Sequence, residues 1–346
     1  MTDLKKKYHH LFSKSLSKLT KLHGDASNRI YYRAHFSDQS TAIIMQLPEG
    51  ALSASEEITN FKGKKTEIPF LNIANFLEKN NIPIPKVLHF SPEDKCILLE
   101  DLGDITMGSL IANAPAATRK KWYTQAIDLL IQLQSIPIHD PRNCYALMRS
   151  FDETLYNWEF DHFFEYGIEK RLNIPIAKED KKIMLEWSRS ISNQLAQLQP
   201  VLVHRDFQSR NLMVSQDKLK LIDFQDALLG PSLYDLVALL RDSYIELDNS
   251  LLDSLLHYYC DKTSIGHFEA FLTIFDTLTI QRKLKDAGRF VYIDRVKGND
   301  SFLKFIPTSL RYVHTSLKRQ KEFYPLYDSL KKYIPEWSEE ACSCVR

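Results

Sequence analysis

Two short apolar runs, Val201-Leu-Val203 and Leu219-Lys-Leu-Ile222, interrupt a long stretch of helical periodicity, and each ends at an acidic centre. Apolar runs of this length bounded by polar residues read as buried strands. The first opens onto His204-Arg-Asp-Phe-Gln-Ser-Arg-Asn211, with Asp206 five residues before Asn211. The second ends in Asp223-Phe224, twelve residues past Asn211. Any fold for this chain has to bring these two strand ends together inside a helical body, and that interruption is where chemistry is expected.

The organisation changes once along the chain. Up to about residue 99 strands and a helix alternate: Ile30 to Phe36, Thr41 to Leu47, Val87 to Phe90 and Cys96 to Leu99 are β-prone, and Phe70 to Glu78 has helical spacing. From about Ser109 onward helices dominate, over Trp122 to Gln134, Asp180 to Leu198, Tyr234 to Glu246, Leu251 to Cys260, His267 to Leu284 and Ile306 to Tyr324. Glu100-Asp-Leu-Gly-Asp104 lies between the regimes and reads as a hinge. With 346 residues, a prior of roughly 150 residues per domain gives two lobes. The division is residues 1–102 and 103–346, and the class is α+β.

Lys plus Arg number 45 against 44 Asp plus Glu, for a net charge of +1. A balance so near neutrality gives no compositional support for nucleic acid or an anionic membrane as partner, whereas a small molecule fits. The five cysteines (Cys96, Cys144, Cys260, Cys342, Cys344) are scattered, without metal-binding spacing. With no apolar signal core and no run of about 18 apolar residues, the expected location is the cytoplasm. Lys5 to Lys7 and Lys62 to Lys65 read as solvated faces.

The run from His204 to Asn211, followed by Asp223-Phe224, resembles the catalytic loop and metal-binding motif of the kinase fold, H-R-D-x-x-x-x-N and D-F-G, with Gln225 in place of the glycine. Phosphoryl transfer needs these types: a carboxylate to orient the acceptor hydroxyl, and further oxygen ligands for the Mg²⁺ that holds ATP. The resemblance makes Asp206 the base and Asn211 and Asp223 the metal ligands. Upstream, Arg29, Tyr31, Arg33 and His35 share one face of a strand, and Ile30, Tyr32, Ala34 and Phe36 the other. Arg29 and Arg33 are candidates for the ATP phosphates, although the same alternation describes an ordinary half-exposed strand. The strand lysine of protein kinases is missing, with Met45 or Gln46 in its place.

These residues resemble the aminoglycoside phosphotransferase superfamily, and within it the anomeric kinases for N-acetylmuramate and N-acetylglucosamine in cell-wall recycling. Further similar segments are Gly24-Asp-Ala-Ser27, Leu98-Leu-Glu-Asp-Leu-Gly-Asp104, Ile222-Asp-Phe-Gln-Asp-Ala227, Gly230-Pro231, Tyr234-Asp235-Leu236, Leu240-Arg-Asp-Ser-Tyr244 and Gln281-Arg-x-Leu-Lys285 with Gly288 and Phe290. The resemblance implies a two-lobed protein-kinase-like fold and an ATP-dependent sugar kinase, with adenine against the backbone near Glu100 to Leu102. Candidate acceptor contacts are Glu159 and Asp161 in the aromatic run Leu155 to Phe164, together with Asp226 and Arg241. The aromatic run could equally be core, and Asp226 a turn cap. Asp235 is expected to tie the catalytic loop by hydrogen bonds. Kinases for aminoglycosides, choline-like alcohols or homoserine stand as alternatives, as does a nucleotide-binding pseudokinase. The sequence leaves the oligomeric state unknown.

Overall fold

Alternating apolar and polar residues build the first lobe. The computed structural model describes residues 8–22, 29–47, 61, 67–141 and 144–338. Strands β1 (Leu16–Leu22), β2 (Ile30–Phe36) and β3 (Thr41–Gln46) precede helix α1 (Pro69–Lys79), and β4 (Val87–Ser91) and β5 (Cys96–Glu100) follow it. They form one antiparallel sheet in the order β1-β2-β3-β5-β4. Tyr32, Ala34, Phe36, Ala42, Ile44 and Leu98 close a small core on one face. Met45, Ile97 and Leu99 belong instead to the main core, with Phe70 and Ile73 of α1. The wholly buried Met45 thus stands where a kinase strand would offer its lysine.

Strand β1 had no sequence expectation. Its leucines at 16, 19 and 22 repeat every three residues, which does not read as a strand, but a bulge between Leu16 and Lys18 shifts the register, and Leu16 and Leu19 are both buried. Gly24 to Ser27, Lys5 to Lys7, Lys62 to Lys65, Cys342 and Cys344 lie outside the described residues.

The second lobe is helical. Its elements are α2 (Met107–Ile111), α3 (Ala116–Gln134), α4 (Glu153–His162), α5 (Lys178–Ala196), strands β6 (Pro200–Val203), β7 (Leu212–Ser215), β8 (Lys218–Leu221) and β9 (Leu228–Pro231), then α6 (Leu233–Leu240), α7 (Asn249–Thr263), α8 (Phe268–Lys297), α9 (Ile306–Arg319) and α10 (Tyr324–Lys331). The strands form two antiparallel pairs, β6 with β9 and β7 with β8. Helix α4 runs on as a π-helix over Phe163–Lys170. The expected helix Tyr234 to Glu246 stops at Leu240, and Asp242 beyond it accepts hydrogen bonds from Ser209 N–H and Oγ at 3.1 and 2.6 Å. That carboxylate serves the catalytic loop, which a continuing helix would not allow. The expected helix Ile306 to Tyr324 breaks after Arg319, and Pro325 sits in the first turn of α10. No helix among the described residues is long and apolar enough to cross a membrane.

Helix α8 is the long spine of this lobe, 30 residues ending at Gly298 with φ +68°. A β-carbon on its Gly288 would meet the Cα of Phe163 at 2.8 Å and the carbonyl oxygen of His162 at 3.2 Å. Only a glycine lets the backbones of α8 and the α4 end come this close. Between the lobes, Leu221 N–H donates to the Pro83 carbonyl at 2.7 Å, and just past the hinge the Ile105 carbonyl accepts from Val214 N–H at 2.8 Å. Lys220 Nζ holds both carboxylate oxygens of Glu100 at 2.7 Å.

Candidate active site

Strand β6 delivers His204, and the chain then turns sharply, with Arg205 at φ +80°. A non-glycine residue in that region is strained and needs support. Here the support is Asp235, wholly buried, which accepts from the backbone N–H groups of His204 and Arg205 at 2.6 and 3.0 Å. The expected tying role of Asp235 is therefore its role in the structure. His204 Nε2 donates to the Ile222 carbonyl at 2.9 Å, linking the two strand ends. Asn211 Nδ2 donates to the Asp206 carbonyl at 2.8 Å, closing the loop on itself. Asp223, at the end of the second run, also takes a left-handed conformation, φ +64°.

The two carboxylates differ in setting. Asp206 accepts from Arg282 Nη2 at 3.1 Å, and Arg282 Nη1 also donates to the Arg205 carbonyl at 2.6 Å. Burial by itself would raise the Asp206 pKa, but the charges of Lys285, Arg282 and Arg205 prevail and hold it at about 2. Asp223 moves the other way: burial pushes it up, and the charges of Asp206 and Asp226 act in the same sense. Gln225 Nε2 donates to Asp223 Oδ1 at 2.8 Å, so the residue replacing the motif glycine orients the carboxylate beside it. Arg149 pins that turn, donating to the carbonyls of Gln225 and Ala227 at 2.7 and 3.0 Å. Phe224 is buried and stacks on Phe70 of α1 with ring centroids 4.9 Å apart.

A cleft of about 1090 Å³ opens between the lobes, and Asp206, Asn211 and Asp223 all line it. The hinge residues Glu100 and Leu102 and both Arg29 and Arg33 also line it. Arg29 Nη1 lies 3.8 Å from Asp223 Oδ1. Arg33 is directed otherwise than expected. Its Nε and Nη2 donate to Asp101 at 2.7 and 3.1 Å, and its Nη1 donates to Asp104 at 2.9 Å. Here it clamps the hinge, because two acidic residues follow Glu100 within reach of its strand face.

The four acceptor candidates divide. Asp226 lines the cleft, with one carboxylate oxygen buried and without a hydrogen-bond partner. Glu159 lies in the cleft wall but is fully buried, and its oxygens accept from Arg205 at 3.2 Å and Gln281 at 2.7 Å. It braces the catalytic loop. Asp161 is exposed and does not line the cleft, since two residues past Glu159 a helix has turned about 200° away. Arg241 is also outside the cleft, buried with its guanidinium over the rings of Phe275 and Tyr312 at 5.6 and 5.0 Å.

Other cleft residues had no assigned role in the sequence. On α8 these are Lys285, Arg289 and Tyr292, and on α4 Trp158 and His162. The signal was the spacing of Arg282, Lys285 and Arg289 at i, i+3 and i+7, one face of a helix. The aromatic run proves to be both core and cleft wall: Leu155, Tyr156, Phe160, Phe163 and Phe164 are buried in the core, while Trp158 and His162 face the cleft. Trp158 stacks on His162 at 5.3 Å, and His162 lies 5.3 Å from Tyr292. Burial, with the charges of Arg289 and Lys285, lowers the His162 pKa to about 4, so its ring is neutral near pH 7.

A small strand-rich lobe hinged to a helical lobe, with two strand-ending aspartates and an asparagine facing the cleft between them, defines a phosphotransferase of the small-molecule kinase class. The chain belongs to the phosphotransferase enzyme family, which residues 18–271 match. It is 30% identical over 326 residues to an N-acetylmuramate/N-acetylglucosamine kinase of Neisseria meningitidis, covering 91% of this chain and 90% of the relative. A kinase of the same description from Pseudomonas aeruginosa is 28% identical over 324 residues, covering 91% and 88%. Among solved structures, a choline kinase from Streptococcus pneumoniae superposes with TM-score 0.60 at 16% identity, covering 91% of this chain and 98% of that one. An ADP-bound aminoglycoside phosphotransferase gives 0.60 at 18%, covering 89% and 97%.

Proposed function

We propose that this enzyme transfers the γ-phosphoryl group of ATP to the anomeric hydroxyl of an amino sugar, N-acetylmuramate or N-acetylglucosamine. The observation that carries the reading is the convergence of Asp206, Asn211 and Asp223 on one cleft, beside a wall of aromatic rings, in a chain similar over nine-tenths of its length to kinases of that description. Aromatic faces suit the C–H patches of a sugar ring, and a cleft with a few convergent polar groups suits its hydroxyls.

In this reading adenine sits at the hinge, against the backbone of Glu100 to Leu102, and Arg29 meets the phosphates. Asn211 and Asp223 fit a Mg²⁺ ion: the Asn211 amide nitrogen is engaged with the Asp206 carbonyl, and the Asp223 carboxylate is raised by burial and by its acidic neighbours. Bound there, the ion would neutralise charge on the phosphates. Asp206, already ionised and held by Arg282, accepts a hydrogen bond from the acceptor hydroxyl and orients its oxygen. As the bond from the γ-phosphorus to the bridging oxygen breaks, the sugar oxygen bonds to phosphorus, ADP departs, and the hydroxyl proton leaves past Asp206 to solvent. A carboxylate at about 2 is a weak base, so catalysis here is chiefly positioning and charge stabilisation.

Phosphorus NMR of the protein with Mg-ATP and either sugar should show a sugar 1-phosphate resonance with anomeric coupling. ADP formed with other alcohols but with neither sugar would overturn the acceptor assignment and leave a kinase.

A further inference from the structure

Arg289 stands out beside the neighbouring cations of α8 and the loop after β6. Arg282 meets Asp206, Lys283 and Lys285 both meet Asp286 at 2.7 and 3.1 Å, and Arg205 meets Glu159. Arg289 lines the same cleft one turn past Lys285, and no hydrogen bond or ion pair joins it to the described residues. Its guanidinium rests over the Tyr292 ring, 4.9 Å from the centroid. Burial lowers its affinity for a proton, yet a guanidinium keeps its charge at any working pH. Asp206 and Asp226 act on this half-buried charge from a distance, but no carboxylate of the described residues pairs with it, and its free N–H donors favour a bound anion.

The position says which anion. Arg289 follows Arg282, the partner of Asp206, by two helical turns, about 10 Å along the axis. On the helix it lies past the residue that holds Asp206, still near enough for the charges of Asp206 and Asp226 to act on it. Its immediate neighbours are the rings of the acceptor wall, since Tyr292 under it faces His162, which stacks on Trp158. His162 Nε2 is buried without a hydrogen-bond partner, a second unsatisfied polar atom in that wall. Gly288, next to Arg289, is what allows α8 to come so close to the end of α4.

We infer that Arg289 binds a carboxylate carried by the acceptor sugar, and so makes the enzyme prefer an acidic amino sugar to its neutral counterpart. This inference rests on the amino-sugar reading above. N-acetylmuramate differs from N-acetylglucosamine by a lactyl ether on C3, two ring bonds from C1, whose carboxylate reaches outward from the ring on its own short arm. An anchor on the helix that holds Asp206, flanked by the ring wall, is placed to meet that carboxylate. Arg289 is a specificity residue here, with no part in the transfer itself.

The test is the ratio of kcat/KM for N-acetylmuramate to that for N-acetylglucosamine, measured in the wild-type enzyme, Arg289→Met and Arg289→Lys. Removing one charge-assisted hydrogen bond should lower the ratio about 30-fold in Arg289→Met, with Arg289→Lys intermediate. Turnover of the neutral sugar by each variant reports that it is folded. An unchanged ratio, whether the two constants stay level or fall together, overturns the inference and leaves the sugar-kinase reading standing; a parallel fall would put Arg289 on the phosphoryl group common to both reactions. A wild-type enzyme that phosphorylates neither sugar overturns the parent reading, and this one with it.

Discussion

The two ends of the cleft treat positive charge differently. At the hinge, Arg33 is closed on Asp101 and Asp104, and Lys220 on Glu100. These pairs join β2 to the hinge and join the hinge to β8, so the cations there act as mechanical ties between segments. At the floor, Arg282 meets Asp206, and Lys285, paired with Asp286, adds its charge to hold that carboxyl ionised, while no ion pair joins Arg289 to the described residues. Charge is internally balanced where the lobes must hold together. Where substrates meet, part of it is left over.

The sharpest break of that comparison is at Asp206. Asp206→Ala should reduce kcat by about 10³-fold while Mg-ATP affinity, read by calorimetry, changes little; substantial residual kcat would remove the carboxylate from the floor's task. Next are the two arginines of β2. Arg29→Ala should raise KM for ATP about tenfold, and Arg33→Ala less than about threefold, because the Arg33 guanidinium is already committed to the carboxylates of the hinge. A larger effect at Arg33 would mean that the clamp opens and its guanidinium reaches the phosphates. The smallest effect concerns pH. Asp206 ionises at about 2 in the folded protein, against an ordinary 3.8. Its lowered value means that its ion pairing stabilises the fold fully above about pH 4 and is lost only as pH falls toward 2. The kcat/KM profile should accordingly be flat through Asp206 down to about pH 4.5, and a loss of activity near 6 traced to this carboxylate by Asp206→Asn would contradict the floor's cationic hold.

Much of this arrangement was legible in the sequence. β2 was marked over its whole length by strict alternation, and the cleft-lining Asp206, Asn211 and Asp223 by spacing between two strand ends. What failed did so for physical reasons. β1 was hidden by a bulge that makes a three-residue repeat bury one face. The helix after Asp235 stops at Leu240, and Asp242 beyond it accepts both from Tyr244 N–H and from Ser209, a long-range bond that local periodicity does not carry. Glu159 and Asp161 read alike in sequence, yet the helix turns one into the loop and the other to solvent. Arg33 lines the cleft as its strand face suggested, but its partners Asp101 and Asp104 were out of sight of local pattern, 68 and 71 residues away in the chain. Gln225 stands where the kinase motif has glycine, and its bond to Asp223 gives it a task that the sequence does not show.

The stack of Phe70 on Phe224 has a thermal consequence. Where protein kinases pair a strand lysine with a helix glutamate, this chain has a buried methionine, and α1 touches the Asp223 turn through two rings. An apolar contact is nearly indifferent to ionic strength, and its strength fades on cooling. The alignment of the upper helix with Asp223 should therefore tolerate high salt and loosen in the cold, giving an Arrhenius plot of turnover that steepens at low temperature.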